Sequence, residues 1–94
     1  MEDTLPFYQM IIDWLRQYFQ SPQPMTLVTL ELDYVNSSSF RMITEILFEL
    51  NKFYIFGNDV LVEWRFHGDD EDMEEMGMEL NEMLDFPFEY VVLT

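Results

Sequence analysis

The spacing of the apolar residues constrains this chain more than any other feature. From Thr4 to Gln20 they recur every three or four residues, and from Met25 to Val35 every second residue. The two patterns then alternate to the end of the chain. The first spacing is typical of an amphipathic helix and the second of a half-buried strand. The sequence therefore predicts the order helix, strand, helix, strand, helix, strand.

Capping residues and turn residues set the ends of these elements. Asp3 or Thr4 can cap the first helix, Pro6 fits its first turn, and residues 21–24 (Ser-Pro-Gln-Pro) end it. The second helix follows residues 36–39 and runs to about Phe53. The third begins in the acidic stretch after Gly68 and ends before Phe86-Pro87.

The alternation of apolar residues in each strand also predicts which side chains face the core. The first strand places four apolar residues on one face, Val28, Leu30, Leu32 and Tyr34. The second, residues 60–66, does the same with Val60, Val62, Trp64 and Phe66, and residues 88–93 form the third. On the helices we expect Met10, Met73, Met76 and Met83 to lie in the core.

This order predicts an α/β fold. Strands joined through helices are normally parallel neighbours, so we expect a small sheet with helices packed on it. The length suits one domain over residues 1–94, and a chain that is 49% hydrophobic has enough to bury.

The charge excludes several classes of partner. Nineteen acidic residues face four basic ones, which gives a net charge of −15 and repels nucleic acids and anionic membrane surfaces. No signal peptide and no apolar run of about 18 residues is found, so we expect a cytoplasmic protein. The chain has no cysteine, and therefore no thiolate metal site or thiol nucleophile.

Residues 36–39, Asn-Ser-Ser-Ser, form the most informative segment. They lie between the end of a strand and the start of a helix, where a phosphate would meet free backbone N–H groups and the positive end of the helix dipole. Arg41 follows Ser37 by one turn, close enough to meet a phosphoryl group. The alternative is that the serines only cap the helix.

No other motif in the sequence predicts a metal site or a catalytic site. The acidic run from Asp69 to Glu75 lacks the ligand spacing of an EF-hand loop, and acidic residues also suit the start of a helix. His67 is the only histidine, and no carboxylates pair as a general acid and base. We therefore predict no catalytic residues, no metal and no cofactor.

Several segments of the sequence together resemble a known family. Residues 30–40, from Leu30 to Phe40, look like the strand–turn–helix signature of the SiaC family of bacterial regulatory phosphoproteins. The first helix (Phe7, Tyr8, Trp14, Leu15, Tyr18), residues 60–64 and residues 69–73 resemble the family in the same order. These are STAS-like domains, related to the anti-sigma-factor antagonist SpoIIAA.

The resemblance implies a switch and not an enzyme. A partner Ser/Thr kinase would phosphorylate one hydroxyl, a PPM-type phosphatase would remove the phosphate, and the unmodified protein would bind a diguanylate cyclase or another signalling protein. That binding would promote cyclic-di-GMP signalling and biofilm formation. The matching hydroxyl is Ser37, with Ser38 and Ser39 as secondary candidates, and Asn36, Tyr34 and Arg41 would surround the phosphate or contact the partner.

The resemblance also implies a β-hairpin before the first helix. This sequence starts almost at that helix, so either the sequence is shortened or the domain is naturally reduced. A bare sheet edge in its place would invite pairing with another chain, so a homodimer is a further hypothesis. Two other classes of function stay open. One is an acidic DNA-mimic inhibitor that binds a basic protein, and the other is a small enzyme or metal binder.

Overall fold

The order of elements is the one that the sequence predicts. A computed structural model describes residues 5–21 and 23–93, and side chains from residue 9 onward, so the proposed caps Asp3 and Thr4 lie outside the described residues. The elements are α1 (Leu5–Tyr18), β1 (Met25–Glu31), α2 (Ser37–Ile55), β2 (Asp59–His67), α3 (Glu71–Glu82) and β3 (Phe88–Leu93).

The three strands form one parallel sheet in the order β1-β2-β3. Met25 lies opposite Asp59 and Glu31 opposite Arg65, while Val62 lies opposite Phe88. Each strand joins the next through a helix, as parallel neighbours require. The α/β fold is therefore confirmed, and β1 and β3 form the two edges of the sheet in the described part of the chain.

The core lies on one side of β2. Its alternate residues Val60, Val62, Trp64 and Phe66 are all buried, as the sequence predicts. Buried apolar side chains from all three helices, and from the residue that follows α1, join them in one core cluster: Ile12, Leu15, Phe19, Ile43, Leu47, Leu50, Met73 and Leu80. Trp64 lies at the centre, where its Nε1 donates a 3.0 Å hydrogen bond to the carbonyl oxygen of Met73.

Tyr34 does not lie on the core face of a strand, contrary to the prediction. β1 ends at Glu31, its last residue paired with β2, and Tyr34 is 78% exposed in the following loop. Once the strand leaves its neighbour, no ladder of hydrogen bonds holds the alternation of side chains. The apolar face of β1 therefore ends before Tyr34.

Two of the four methionines assigned to the core lie mainly outside it. Met73 is buried and Met76 is partly buried, but Met10 is 60% exposed and Met83 is 49% exposed. Met83 follows the last residue of α3, where the helical spacing no longer applies. Met10 lies beside the buried stripe of α1, which Ile12 and Leu15 form instead.

None of the helices in the described part of the chain is long and apolar enough to cross a membrane. Among the described residues, no group of three or more histidine or carboxylate side chains is arranged to hold a metal ion.

Candidate functional site

The start of α2 is capped by Asn36 and not by the serines that follow it. The backbone of Asn36 is extended (φ −95°, ψ 179°), and its Oδ1 accepts a 2.8 Å hydrogen bond from the backbone N–H of Ser39. Its carbonyl oxygen accepts the N–H of Phe40, also at 2.8 Å. Asn is among the best N-cap residues because its side chain reaches these amides.

This cap leaves two backbone amides open. The first N–H groups of a helix have no intrahelical acceptor, and those of Ser37 and Ser38 have none elsewhere among the described residues. They lie at the positive end of a 19-residue helix. The turn therefore offers two hydrogen-bond donors and a favourable potential for an anion.

The serine hydroxyls differ in their access to solvent. Ser37 and Ser38 are exposed, whereas Ser39 is half-buried. Together with Arg41, Ser37 and Ser38 line a small depression of about 170 Å³, which we call the serine depression. The structure thus brings Ser37, Ser38 and Arg41 together and leaves Ser39 outside.

Arg41 is the basic side chain that remains available at this site. Arg16 and Lys52 both pair with Glu49, with N–O distances of 2.8 and 3.3 Å, and Arg65 pairs with glutamates of β1 and β2. Within the described residues Arg41 has no ion pair, and it is exposed. Its guanidinium can therefore meet an incoming anion without first breaking an ion pair.

A wider open groove of about 590 Å³ adjoins the serine depression, and we call it the α2 groove. Eight residues line it, Val35, Asn36, Ser37, Phe40, Arg41, Thr44, Glu45 and Met76. Its apolar part combines Val35 and Phe40 with Met76, which α3 contributes. Sequence reasoning assigned Met76 to the core alone, because no local signal shows that α3 reaches the start of α2.

Only some of the predicted partner-binding residues lie in the α2 groove. Asn36 and Arg41 line the α2 groove, but Tyr34 does not, although it is highly exposed two residues before Asn36. Its role in binding stays a prediction.

Comparison with known proteins identifies the family. The sequence matches the SiaC family of regulatory phosphoproteins across residues 1–93. This chain belongs to the SiaC family. The family is one of regulatory proteins, so the chain is a regulator and not itself an enzyme.

Solved structures of SiaC from Pseudomonas aeruginosa share the fold. A chain in the crystal structure of the diguanylate cyclase SiaD in complex with its activator SiaC matches with a TM-score of 0.89 and 26% identity, over 99% of this chain and 76% of that one. The crystal structure of apo-SiaC matches with a TM-score of 0.84 and 26% identity, over 98% of this chain and 74% of that one.

A relative is also found by sequence. An uncharacterized protein of Pseudomonas aeruginosa (strain UCBPP-PA14) is 28% identical over 87 residues, which are 93% of this chain and 69% of that protein.

Proposed function

We propose that this SiaC-family chain is a switch that binds a diguanylate cyclase when unmodified and releases it when Ser37 is phosphorylated. The complex of SiaC with the cyclase SiaD supports a cyclase as the partner. The family description as regulatory phosphoproteins supports control by phosphate. The choice of site rests on one observation: Ser37 is exposed at the start of α2, beside Arg41, which has no ion pair among the described residues.

Ser37 is the best acceptor on physical grounds. Its hydroxyl is exposed, and its own N–H and that of Ser38 are open donors. A phosphoryl group brings about −1.5 to −2 charges and three acceptor oxygens. The helix dipole, these amides and the Arg41 guanidinium would all stabilise that charge locally.

Phosphate at this position would change the binding surface and leave the fold intact. Ser37 lines the α2 groove beside Phe40 and Met76, so a partner that covers this apolar surface would have to desolvate the dianion. The partner would also approach a molecule that already carries −15. Binding is therefore lost through charge and desolvation, with no need for refolding.

The remaining parts of the pathway follow from the same resemblance. We propose a Ser/Thr kinase and a PPM-type phosphatase as the enzymes that act on Ser37, in the cytoplasm, with biofilm formation as the output. We also propose that residues 1–94 work as one STAS-like domain.

Phosphate mapping on protein purified from its native host tests the site. We expect one phosphoryl group, and fragment masses that locate it on Ser37. The Ser37→Ala variant should carry none, while Ser38→Ala and Ser39→Ala, the matched controls, should be modified like the parent. A phosphoryl group that persists in Ser37→Ala would refute the assignment.

A binding measurement with a diguanylate cyclase of the same host tests the partner. We expect the unmodified chain and Ser37→Ala to bind and to raise cyclic-di-GMP synthesis, and Ser37→Asp to bind more weakly. Aspartate supplies less charge than phosphate, so Ser37→Asp should fall between the unmodified and phosphorylated proteins. Equal binding by all forms would refute the proposed switch at Ser37 and would leave the cyclase as the partner.

We further propose that two copies associate through the edge of β1. That edge has no neighbouring strand among the described residues, and Met25 and Leu27 are 53% and 55% exposed on it. Unpaired strand edges favour strand addition. Light scattering should show dimers that Leu27→Lys reduces, and a monomer at all concentrations would contradict this proposal.

A further inference from the structure

The outer side of α3 carries a second groove, separate from the start of α2. It has a volume of about 350 Å³ and is lined by Glu74, Met78, Asn81, Glu82 and Tyr90. The four residues of α3 recur at helical spacing and share one side, and Tyr90 comes from the adjacent strand β3. We call it the α3 groove. It shares no lining residue with the α2 groove.

The charges around the α3 groove are not neutralised within the described chain. The helix has no basic residue, and its carboxylates are at positions 71, 72, 74, 75, 79 and 82. None of the ion pairs between described residues includes one of them. This side of the protein therefore attracts cations more strongly than any face where carboxylates are paired.

Two of these carboxylates are placed against the helix dipole. The C-terminal end of a helix is partly negative, so Glu79 and Glu82 in the last turns destabilise α3. The first-turn residues Glu71 and Asp72 have the opposite, favourable effect. A cation bound near Glu82 would remove an unfavourable interaction, which strengthens its binding.

Apolar surface lies between the two charged ends of the α3 groove. Met78 is 51% exposed and Tyr90 is 39% exposed. Partial burial raises the pKa of Tyr90 and the charge of Glu82 adds to this, while the side-chain hydrogen bond with Asn81 lowers it. A thioether adapts to varied apolar groups, and the phenol ring can also face a cation.

The spacing of the groove selects a particular arrangement of ligand charges. Glu74 and Glu82 are eight residues apart, which is about 12 Å along a helix. An extended segment covers about 13 Å in four residues, and its alternate side chains point the same way. A basic–x–apolar–x–basic segment would thus direct both cations at the glutamates and its apolar residue at Met78.

We propose that the α3 groove is a docking site for an extended basic segment of a partner protein, with two cationic side chains that meet Glu74 and Glu82 and an apolar one that packs on Met78 and Tyr90. This site acts independently of Ser37. Nucleic acid and anionic lipid are excluded by the charge, and charge complementarity favours a basic protein segment.

A nuclear magnetic resonance titration of the ¹⁵N-labelled full chain tests the proposal. The probe is the peptide acetyl-Arg-Ser-Leu-Ser-Arg-amide, and we expect amide shifts centred on Met78, Asn81 and Tyr90. The isomer acetyl-Arg-Arg-Leu-Ser-Ser-amide has the same charge without the spacing and should bind several-fold more weakly. Equal binding of the two peptides, or of spermidine, would refute a site for a spaced basic segment.

Matched charge variants distinguish binding in the α3 groove from nonspecific attraction of the basic peptide to the acidic helix. Two lost surface ion pairs correspond to about a fivefold weaker affinity, expected for Glu74→Gln/Glu82→Gln. Glu75→Gln/Glu79→Gln removes the same charge from the same helix outside the groove and should change affinity less than about twofold. Equal weakening by both pairs would overturn the proposal.

Two further variants complete the test. Met78→Ala should also weaken the peptide, since it removes the apolar contact from an exposed position that the fold does not need. Ser37→Ala should bind the peptide like the parent. Failure of the docking site would therefore leave the Ser37 switch untouched, and the reverse also holds.

Discussion

At the scale of single residues, Gly77 allows α3 to pack closely against Trp64 of the sheet. A Cβ atom there would lie 2.5 Å from Nε1 of Trp64, which is fully buried and already hydrogen-bonded to Met73. Alanine is the better helix former by about 1 kcal/mol, but overpacking a core costs about 1–3 kcal/mol. The net cost is therefore up to about 2 kcal/mol, and we expect Gly77→Ala to lower the free energy of unfolding by up to that amount in urea titration.

The control for Gly77→Ala is Glu79→Ala, at an exposed position of the same helix. It should change stability by less than about 0.5 kcal/mol. Near-ultraviolet circular dichroism should report a displaced indole only in Gly77→Ala. An unchanged spectrum with full stability would mean that α3 lies farther from Trp64 than described.

Glu49 is the other residue with a defined energetic role. It is 8% exposed and joins α1 to α2 through Arg16 and also binds Lys52. Burial by itself raises the pKa of Glu49, but the hydrogen bonds from Arg16 and Lys52 outweigh it and hold that pKa below the usual 4.5. The carboxylate is thus stabilised in its charged form.

This lowered pKa predicts how stability depends on pH. Since the unfolded chain binds the Glu49 proton more readily, the contribution of Glu49 is present at neutral pH and is lost as the pH falls below about 4.5. We expect Glu49→Gln to be less stable by about 1–2 kcal/mol at pH 7, because both partners are mostly exposed. The difference from the parent should shrink toward pH 3.

The exposed residue Glu45 of α2 provides the control for Glu49. Glu45→Gln should leave both the stability at pH 7 and its acid dependence close to those of the parent. A stability difference between parent and Glu49→Gln that stays constant from pH 7 to pH 3 would contradict the role of the charged carboxylate.

At the scale of elements, the start of α2 depends on one amide side chain. Removing an N-cap costs about 1 kcal/mol, so we expect that loss for Asn36→Ala in thermal or urea unfolding. Asn36→Ser can make the same hydrogen bond to the Ser39 N–H and should stay within about 0.5 kcal/mol of the parent. Equal losses in both variants would show that the cap is not what stabilises this turn.

At the scale of the whole molecule, the net charge of −15 opposes compaction. Screening of that repulsion by salt should outweigh the weakening of the few surface ion pairs. We therefore expect the melting temperature to rise between low salt and about 0.3 M NaCl, where the screening length falls below about 8 Å.

A variant with fewer charges gives the comparison for the salt effect. With Glu74, Glu75, Glu79 and Glu82 all replaced by Gln, the molecule loses four negative charges from one helix. Its melting temperature should rise less steeply with salt than that of the parent. If the parent protein melts at a lower temperature in higher salt, self-repulsion is weaker than the attraction within its ion pairs, contrary to this prediction.

Sequence reasoning succeeded where a pattern is local and continuous. The order of six elements and the buried face of β2 follow from periodicity, because backbone geometry converts spacing directly into direction. It failed where an element ends, as at Tyr34 and Met83, because side chains there no longer follow the period of the element. It also failed at Met10, which lies beside the buried stripe of α1. That Ser37 and Arg41 lie together could also be predicted, because they are neighbours on one turn, whereas their role stays a proposal.

The sequence by itself determined that this chain is α/β, strongly acidic, and has a serine-rich turn at the start of a helix. Only the tertiary structure decided which surfaces those residues form. Met76 reaches the α2 groove, Tyr90 closes the α3 groove, and Arg41 is left without an ion pair within the described chain. These outcomes depend on how elements that are distant in sequence pack against one another. Periodicity could not predict them, because it indicates only which way each side chain points on its own element.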